Sequence, residues 1–229
     1  MWPCFFLSAA SAGVCRTALD PQNFLLHNIR MVIKSVAETS YRGMYKVSPD
    51  DGPAFFIRRE YLSSVDFDAL SPDFTPDDAQ SEELLDAGLC SAAELKAVDY
   101  LARAEQCRAG LSRKLRHKGY DDFYINRALD YLEGADYLSD RRFARAWLNT
   151  RRTNHCEGRT RLLSELSVRG IGRDVASAAV DDFFAENDED EICRRAYEKL
   201  SRKKSGDKLV AALLQAGFTY RQVRTVMEG

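Results

Sequence analysis

The residues of this chain whose spacing most suggests chemistry are arginines, and the chemistry is recognition of an anion. Arg141, Arg145 and Arg152 fall at about 0°, 40° and 20° around a helix that advances about 100° per residue, so they form one narrow stripe. Phe143 and Trp147 fall near 200° and 240° on the same wheel, which predicts that the aromatic side packs inward and the arginines face out. Arg142, near 100°, stands at the border and reads as structural. Arg113, Arg116 and Lys118 flank an earlier helix, and Arg159, Arg161 and Arg169 a later one; with the stripe they make up the candidate partner-binding set. A guanidinium presents a planar fork that binds carboxylate or phosphate through two parallel hydrogen bonds, whereas an idle surface tolerates lysine equally. Arginine outnumbers lysine across these helices. For any one of these residues the competing reading is a merely solvated face.

Signatures of catalysis are missing from the sequence. There is no phosphate-binding G-x-x-x-x-G-K-[ST], no G-x-G-x-x-G, no H-E-x-x-H and no G-x-S-x-G. The three histidines are His27, His117 and His155. His117 lies between Arg116 and Lys118, an exposed basic setting, and His155 adjoins Cys156, but neighbours on a loop rarely face one another as a thiol–imidazole pair must. The acidic run Asp188–Glu191 lacks the alternating spacing and central glycine of a calcium loop and suits a helix start instead. Six cysteines are scattered without a C-x-x-C pair, the usage of reduced thiols rather than of a disulfide framework or zinc site. No catalytic residue, metal or cofactor is expected.

Charge is distributed unevenly over the 229 residues. Up to Asp99 there are 8 Lys/Arg against 15 Asp/Glu, a balance of -7; from Tyr100 on there are 25 against 20, or +5. An acidic front and a basic rear suit a rear half that faces a polyanion or an acidic protein. No window is long and apolar enough for a membrane-spanning helix. Trp2–Val14 resembles the apolar region of a secretory signal, yet its first basic residue, Arg16, follows the apolar run instead of preceding it. Residues 1–30 are therefore expected to be an unstructured or mis-assigned leader to a cytoplasmic protein.

The elements that must position the arginines are helices. Before them, Val32, Ile33, Val36, Tyr45, Val47 and Phe55–Ile57 are short apolar β-formers separated by turn-rich segments, which predicts a small antiparallel β-module over 31–65. An acidic stretch over 66–91 reads as a linker with a short helix near Glu82–Leu85. From Ser91 on, one frame recurs three times: Leu111, Leu115, Gly119, Tyr120; Leu162, Leu166, Gly170, Ile171; Leu209, Leu213, Gly217, Phe218. Leucines at i and i+4 share a helix face, and the glycine adopts the left-handed conformation that ends the helix. A second helix follows each glycine, with apolar positions Ile125 and Leu129, Val175 and Val180, or Val223 and Met227. A further helix precedes each pair, at roughly Ala92–Gln106, Arg141–Thr153 and Glu189–Ser201, with Asp140 as the expected cap of the second. The fold class is thus mainly α: three tandem three-helix repeats over 92–138, 139–187 and 188–229, forming an elongated curved array behind the β-module.

The string Tyr137-Leu138-Ser139-Asp140-Arg141-Arg142-Phe143-Ala144 resembles the Y-L-D-D-x-R-F-A element of RecX family regulatory proteins, with Ser139 where an aspartate is usual. Gly158 through Gly170 and Leu213 through Phe218 resemble the family as well, and Val32–Ile57 resembles the N-terminal extension of its longer members. The resemblance implies a non-enzymatic modulator, most often an inhibitor, of the recombinase, ATPase and co-protease activities of RecA. It implies docking in the groove of the RecA–DNA filament, with single- or double-stranded DNA there as a further contact. A monomer is expected, and, from the lack of a long apolar window, no membrane partner. The alternative is a stand-alone nucleic-acid-binding helical repeat protein.

Overall fold

The computed structural model describes residues 31–228, so the expectation for residues 1–30 lies outside the described residues. The chain divides into two compact units between Ala92 and Ala93.

In the first unit β1 (Ile33–Glu38), β2 (Met44–Pro49) and β3 (Phe55–Arg58) form an antiparallel meander in that order, with Val36 opposite Val47 and Val47 opposite Phe55. Strand alternation and register put Val47, Phe55 and Ile57 on one face; all three are buried, as are Ile33 and Met44. That face packs on the first half of α1 (Asp78–Leu101): Gly88 lies so near Phe55 that a Cβ there would stand 3.0 Å from the ring. This corrects the reading of 66–91 as a linker with a short helix at Glu82–Leu85, and of a following helix at Ala92–Gln106. One helix of 24 residues spans most of both segments. Its start is a reciprocal cap, Asp77 Oδ1 accepting from the Gln80 N–H at 2.8 Å and Gln80 Oε1 from the Asp77 N–H at 3.0 Å. Leu84, Ala87, Leu89 and Cys90 are buried, which supplies the apolar face that the acidic composition disguised.

The second unit contains the rest of α1, α2 (Arg108–Arg116), α3 (Asp122–Gly134), α4 (Asp140–Asn154), α5 (Arg159–Val168), α6 (Arg173–Glu186), α7 (Glu189–Ser201), α8 (Gly206–Gln215) and α9 (Tyr220–Glu228). With α1, these make three three-helix units among the described residues. All six repeat leucines are buried. Gly119, Gly170 and Gly217 have φ of +89°, +88° and +96°, and the N–H of the residue after each reaches back to the carbonyl of the second leucine. Those bonds are Tyr120 to Leu115 at 3.3 Å, Ile171 to Leu166 at 3.1 Å, and Phe218 to Leu213 at 3.4 Å. Sequence periodicity thus becomes the same helix-ending corner three times. Ile125, Leu129, Val180 and Val223 are buried, whereas Met227, expected to pack inward, is 40% exposed on the last turn of α9.

Packing divides the cores unevenly. Leu111, Leu115, Ile125, Leu129, Leu132 and Leu138 close a core within the first helical unit. Ala144, Leu148, Leu162, Leu166, Val180, Ile192, Leu213 and Val223 belong to one core shared by the second and third.

Candidate interaction surface

α4 is amphipathic as its wheel predicts. Phe143 and Trp147 are half-buried against the shared core, and Arg141, Arg145 and Arg152 are exposed. The stripe is not a free basic surface, however. Arg141 stands 3.5 Å from Asp182 and Arg145 3.5 Å from Glu186, both on α6, which packs beside α4. At 73% and 67% exposure these are loose surface pairs that contribute about 0–1 kcal/mol and leave the guanidiniums available. Arg152 has no acidic partner among the described residues.

The expected helix cap is corrected. Ser139, not Asp140, caps α4, its Oγ accepting from the Arg142 N–H at 3.3 Å. Asp140 is the first helical residue, and its Oδ1 accepts from the N–H of Arg108 at the start of α2, at 2.8 Å. Arg142, read as structural, donates to Glu105 at 3.0 Å, to Asp136 at 2.6 Å and to the Tyr137 carbonyl at 3.0 Å. Burial works against its charge, but the bonds to Glu105 and Asp136 outweigh it and hold the guanidinium above its ordinary pKa.

The remaining candidates separate by partner. Arg159 pairs with Asp181 and Glu189, Arg161 with Glu165 at 2.6 Å, and Arg116 with Asp122 at 2.6 Å. Arg169 donates to Glu165 at 2.7 Å and lies over the Trp147 ring, 4.5 Å from its centroid, so it works as packing between α5 and α4. The Arg169 hydrogen bond, with the charge of Arg161, keeps the Glu165 carboxyl below its ordinary range. Arg113 and Lys118 are exposed and without acidic partners among the described residues. The structure therefore does not gather the nine residues into one site. It leaves Arg113, Lys118 and Arg152 open, half-engages Arg141 and Arg145, and commits the others to the fold.

A denser group lies in the third unit. Lys199, Arg202, Lys203, Lys204 and Lys208 run from the end of α7 to the start of α8, all exposed and none with an acidic partner among the described residues. A groove of about 380 Å³ opens beside them, lined by Arg161, Lys199, Lys204, His155, Cys156 and Gln215 among others. Weighing arginine above lysine passed over this group, although the consecutive Arg202-Lys203-Lys204 was a visible signal.

The joints between units explain the glycines beyond their φ. A Cβ on Gly170 would strike the Ala109 side chain at the start of α2; one on Gly217 would strike Arg161 at the start of α5. Gly158 completes the second joint, its N–H donating to the Ala216 carbonyl at 2.9 Å, with Cys107 Sγ 3.5 Å from the Arg169 carbonyl at the first. Gly119 has open space around it.

Among the described residues no group of three or more His, Cys, Asp or Glu is placed to hold a metal ion, and no helix is long and apolar enough to cross a membrane. Burial, with Asp190 and Glu189 nearby, pushes the Cys193 thiol up to about 11, far from a reactive thiolate.

Comparison with known proteins matches the patterns of two three-helix domains, the RecX first domain over residues 93–132 and the RecX second domain over 139–180. The Regulatory protein RecX of Treponema pallidum (strain Nichols) is 36% identical over 140 residues, 61% of this chain and 85% of that protein. The Regulatory protein RecX of Herminiimonas arsenicoxydans is 31% identical over 140 residues, 58% of this chain and 88% of that protein. A crystal structure of regulatory protein RecX superposes with a TM-score of 0.69 at 19% identity, covering 87% of this chain and all of the other, a likeness of fold.

Proposed function

Since this chain belongs to the RecX family of regulatory proteins, we propose that it binds the filament of the RecA recombinase and lowers its recombinase, ATPase and co-protease activities. The observation that carries the reading is the pair of consecutive three-helix units that match the family over 93–132 and 139–180. A protein of this build regulates by binding: it shifts a partner between states by as much as its affinities for those states differ. Its charges are suited to that role, since exposed cations at helix ends set register and encounter rate with an anionic partner. In this reading the outer face of α4, with Arg141, Arg145 and Arg152, contacts the filament, and DNA within the filament is a further contact. The chain acts as a cytoplasmic monomer with no turnover of its own.

The test adds purified chain to RecA filaments on single-stranded DNA. RecA's ATPase rate is expected to fall at substoichiometric chain, while the chain alone neither hydrolyses ATP nor cleaves DNA. An unchanged RecA rate at equimolar chain refutes the reading. The second reading, a stand-alone nucleic-acid-binding protein, is favoured by the unpaired cations between Lys199 and Lys208. It predicts association with DNA that survives omission of RecA.

A further inference from the structure

Three arginines of this chain lie over an aromatic ring while bonding a carboxylate close by. Arg59 stands 4.6 Å from the centroid of the Phe67 ring and pairs with the adjacent Asp68 at 2.6 Å. Arg169 stands 4.5 Å from that of Trp147 and pairs with Glu165 at 2.7 Å. Arg159 stands 5.1 Å from that of Phe184 and pairs with Asp181. The two attractions are compatible because a guanidinium offers its face to the ring and its edge to the carboxylate.

Asp136 and Tyr137 present the same two groups, neighbours in sequence as Phe67 and Asp68 are, with no cation over the ring among the described residues. The Tyr137 side chain is 62% exposed although its backbone is fixed on both sides. Its N–H donates to the Leu132 carbonyl at 2.8 Å, and its carbonyl accepts from Arg142 at 3.0 Å. Arg142 also takes one oxygen of Asp136, at 2.6 Å, but the Asp136 side chain remains 88% exposed and its other oxygen is open. The turn that displays this pair is not needed to close a three-helix unit. Asp140 follows Tyr120 by twenty residues, whereas the equivalent Glu189 follows Ile171 by eighteen. That shorter joint closes with the Asn187 side chain donating to the Phe183 carbonyl at 2.7 Å. The longer joint passes through a left-handed Asp136, φ +58°, and what it adds is an aromatic side chain held out from the surface.

Charge decides what can cover that ring. Around this joint Glu105, Asp130, Glu133 and Asp136 share two guanidiniums, those of Arg108 and Arg142, so negative charge is in excess. Such surroundings repel a phosphate and draw a cation, whose attraction to the ring face adds to that of the carboxylates.

We propose that Tyr137 and Asp136 form a docking point for an exposed arginine of a partner protein, which completes at the interface the arrangement that Arg59, Arg159 and Arg169 make inside the chain. The contact is opposite in sign to the arginine face of α4, the helix that begins three residues later, so the two together fix which way round a partner of mixed charge binds. Taking the RecA filament as that partner rests on the function proposed above.

The test uses the full chain, RecA filaments on a fluorescein-labelled single-stranded oligonucleotide, and the same oligonucleotide without RecA. Three variants are compared with the wild type: Tyr137→Ala, Tyr137→Phe and Tyr137→Lys. Because the side chain is exposed, all three are expected to keep the wild-type Tm to within about 1–2 °C. Tyr137→Ala is expected to weaken filament binding about tenfold and to leave any binding of the bare oligonucleotide unchanged. Tyr137→Phe keeps the ring face and is expected to bind within about twofold of wild type, a rescue that also shows the loss in Tyr137→Ala is not one of folding. Tyr137→Lys puts a like charge against the partner's arginine and is expected to bind no better than Tyr137→Ala. Wild-type binding by Tyr137→Ala overturns this inference alone. Recovery by Tyr137→Lys overturns it, since the facing surface would then be anionic. Equal losses in Tyr137→Ala and Tyr137→Phe overturn it in favour of a hydrogen bond from the hydroxyl, and a matching loss on the bare oligonucleotide overturns it in favour of stacking on a base. If the wild type itself does not bind RecA filaments, the proposed function fails and this inference falls with it.

Discussion

Three glycine-to-alanine substitutions separate the strain of a corner from the tightness of a joint. Gly119 has φ +89° and open space, so Gly119→Ala incurs only the left-handed backbone cost of about 1–2 kcal/mol. Gly158 has φ -81°, which alanine accepts, but its Cβ would drive well inside 3.0 Å of the Gly217 carbonyl. Backbone on both sides cannot yield as a flexible side chain would. Gly158→Ala is therefore expected to cost about 1–3 kcal/mol from overpacking, plus about 1 kcal/mol from weakening the Gly158 N–H bond to Ala216. Gly217, with φ +96° and Arg161 against it, combines both terms, and Gly217→Ala is expected to lose about 2–5 kcal/mol. Urea unfolding of the full chain, followed by both circular dichroism and tryptophan fluorescence, reads these as shifts in midpoint at unchanged slope. At about 2–4 °C per kcal/mol, thermal melts should order the variants Gly119→Ala, Gly158→Ala, Gly217→Ala from mildest to most severe. Gly158→Ala within about 0.5 kcal/mol of wild type would refute the tight joint, because that position has no strain term to mask the result.

Other expectations follow from the same geometry. Leu166→Ala, at a fully buried position of the shared core, should cost about 2–5 kcal/mol in the same unfolding assay, and a smaller loss would mean that the core collapses around it. Glu165 is held below its ordinary pKa of 4.5 by Arg169 and Arg161, so its stabilising contribution is present above that value and is lost as pH falls through the lower folded value. Glu165→Gln should accordingly flatten the decline of Tm below about pH 4.5, and an unchanged acid limb would remove Glu165 from the account. Reversing charge at Arg141, Arg145 and Arg152 together should weaken binding to RecA filaments, and wild-type binding should fall with added salt. A folded triple variant that acts on RecA at wild-type potency would move the working surface away from α4.

The repeat was legible in the sequence because its cause is local. Leucines four apart share a helix face, and a glycine ends the helix where no other residue takes a positive φ so cheaply; both facts need only the chain's own covalent geometry. The inward turn of Phe143 and Trp147 followed from the same periodicity, as did the border position of Arg142. The long α1 was missed because acidic residues on its outer face masked Leu84, Ala87 and Cys90, although Asp77 and Gln80 stood at the spacing of a capping box.

Charge partners could not be read this way, since an ion pair depends on which helices lie side by side. Asp182 and Glu186 reach Arg141 and Arg145 only because α6 packs along α4 across some forty residues of sequence. Asp140 looked like the cap of its own helix and caps α2 instead, a choice made by the stacking of one unit on the next. The cations left without an acidic partner, among them Arg113, Arg152 and the group from Lys199 to Lys208, emerge only once the ion pairs between neighbouring helices are placed in space. Sequence by itself determined the repeat helices from α2 on, their glycine corners and the leucine face that each first helix of a pair buries; tertiary packing alone decided which cations the fold pairs and which stay exposed without an acidic partner.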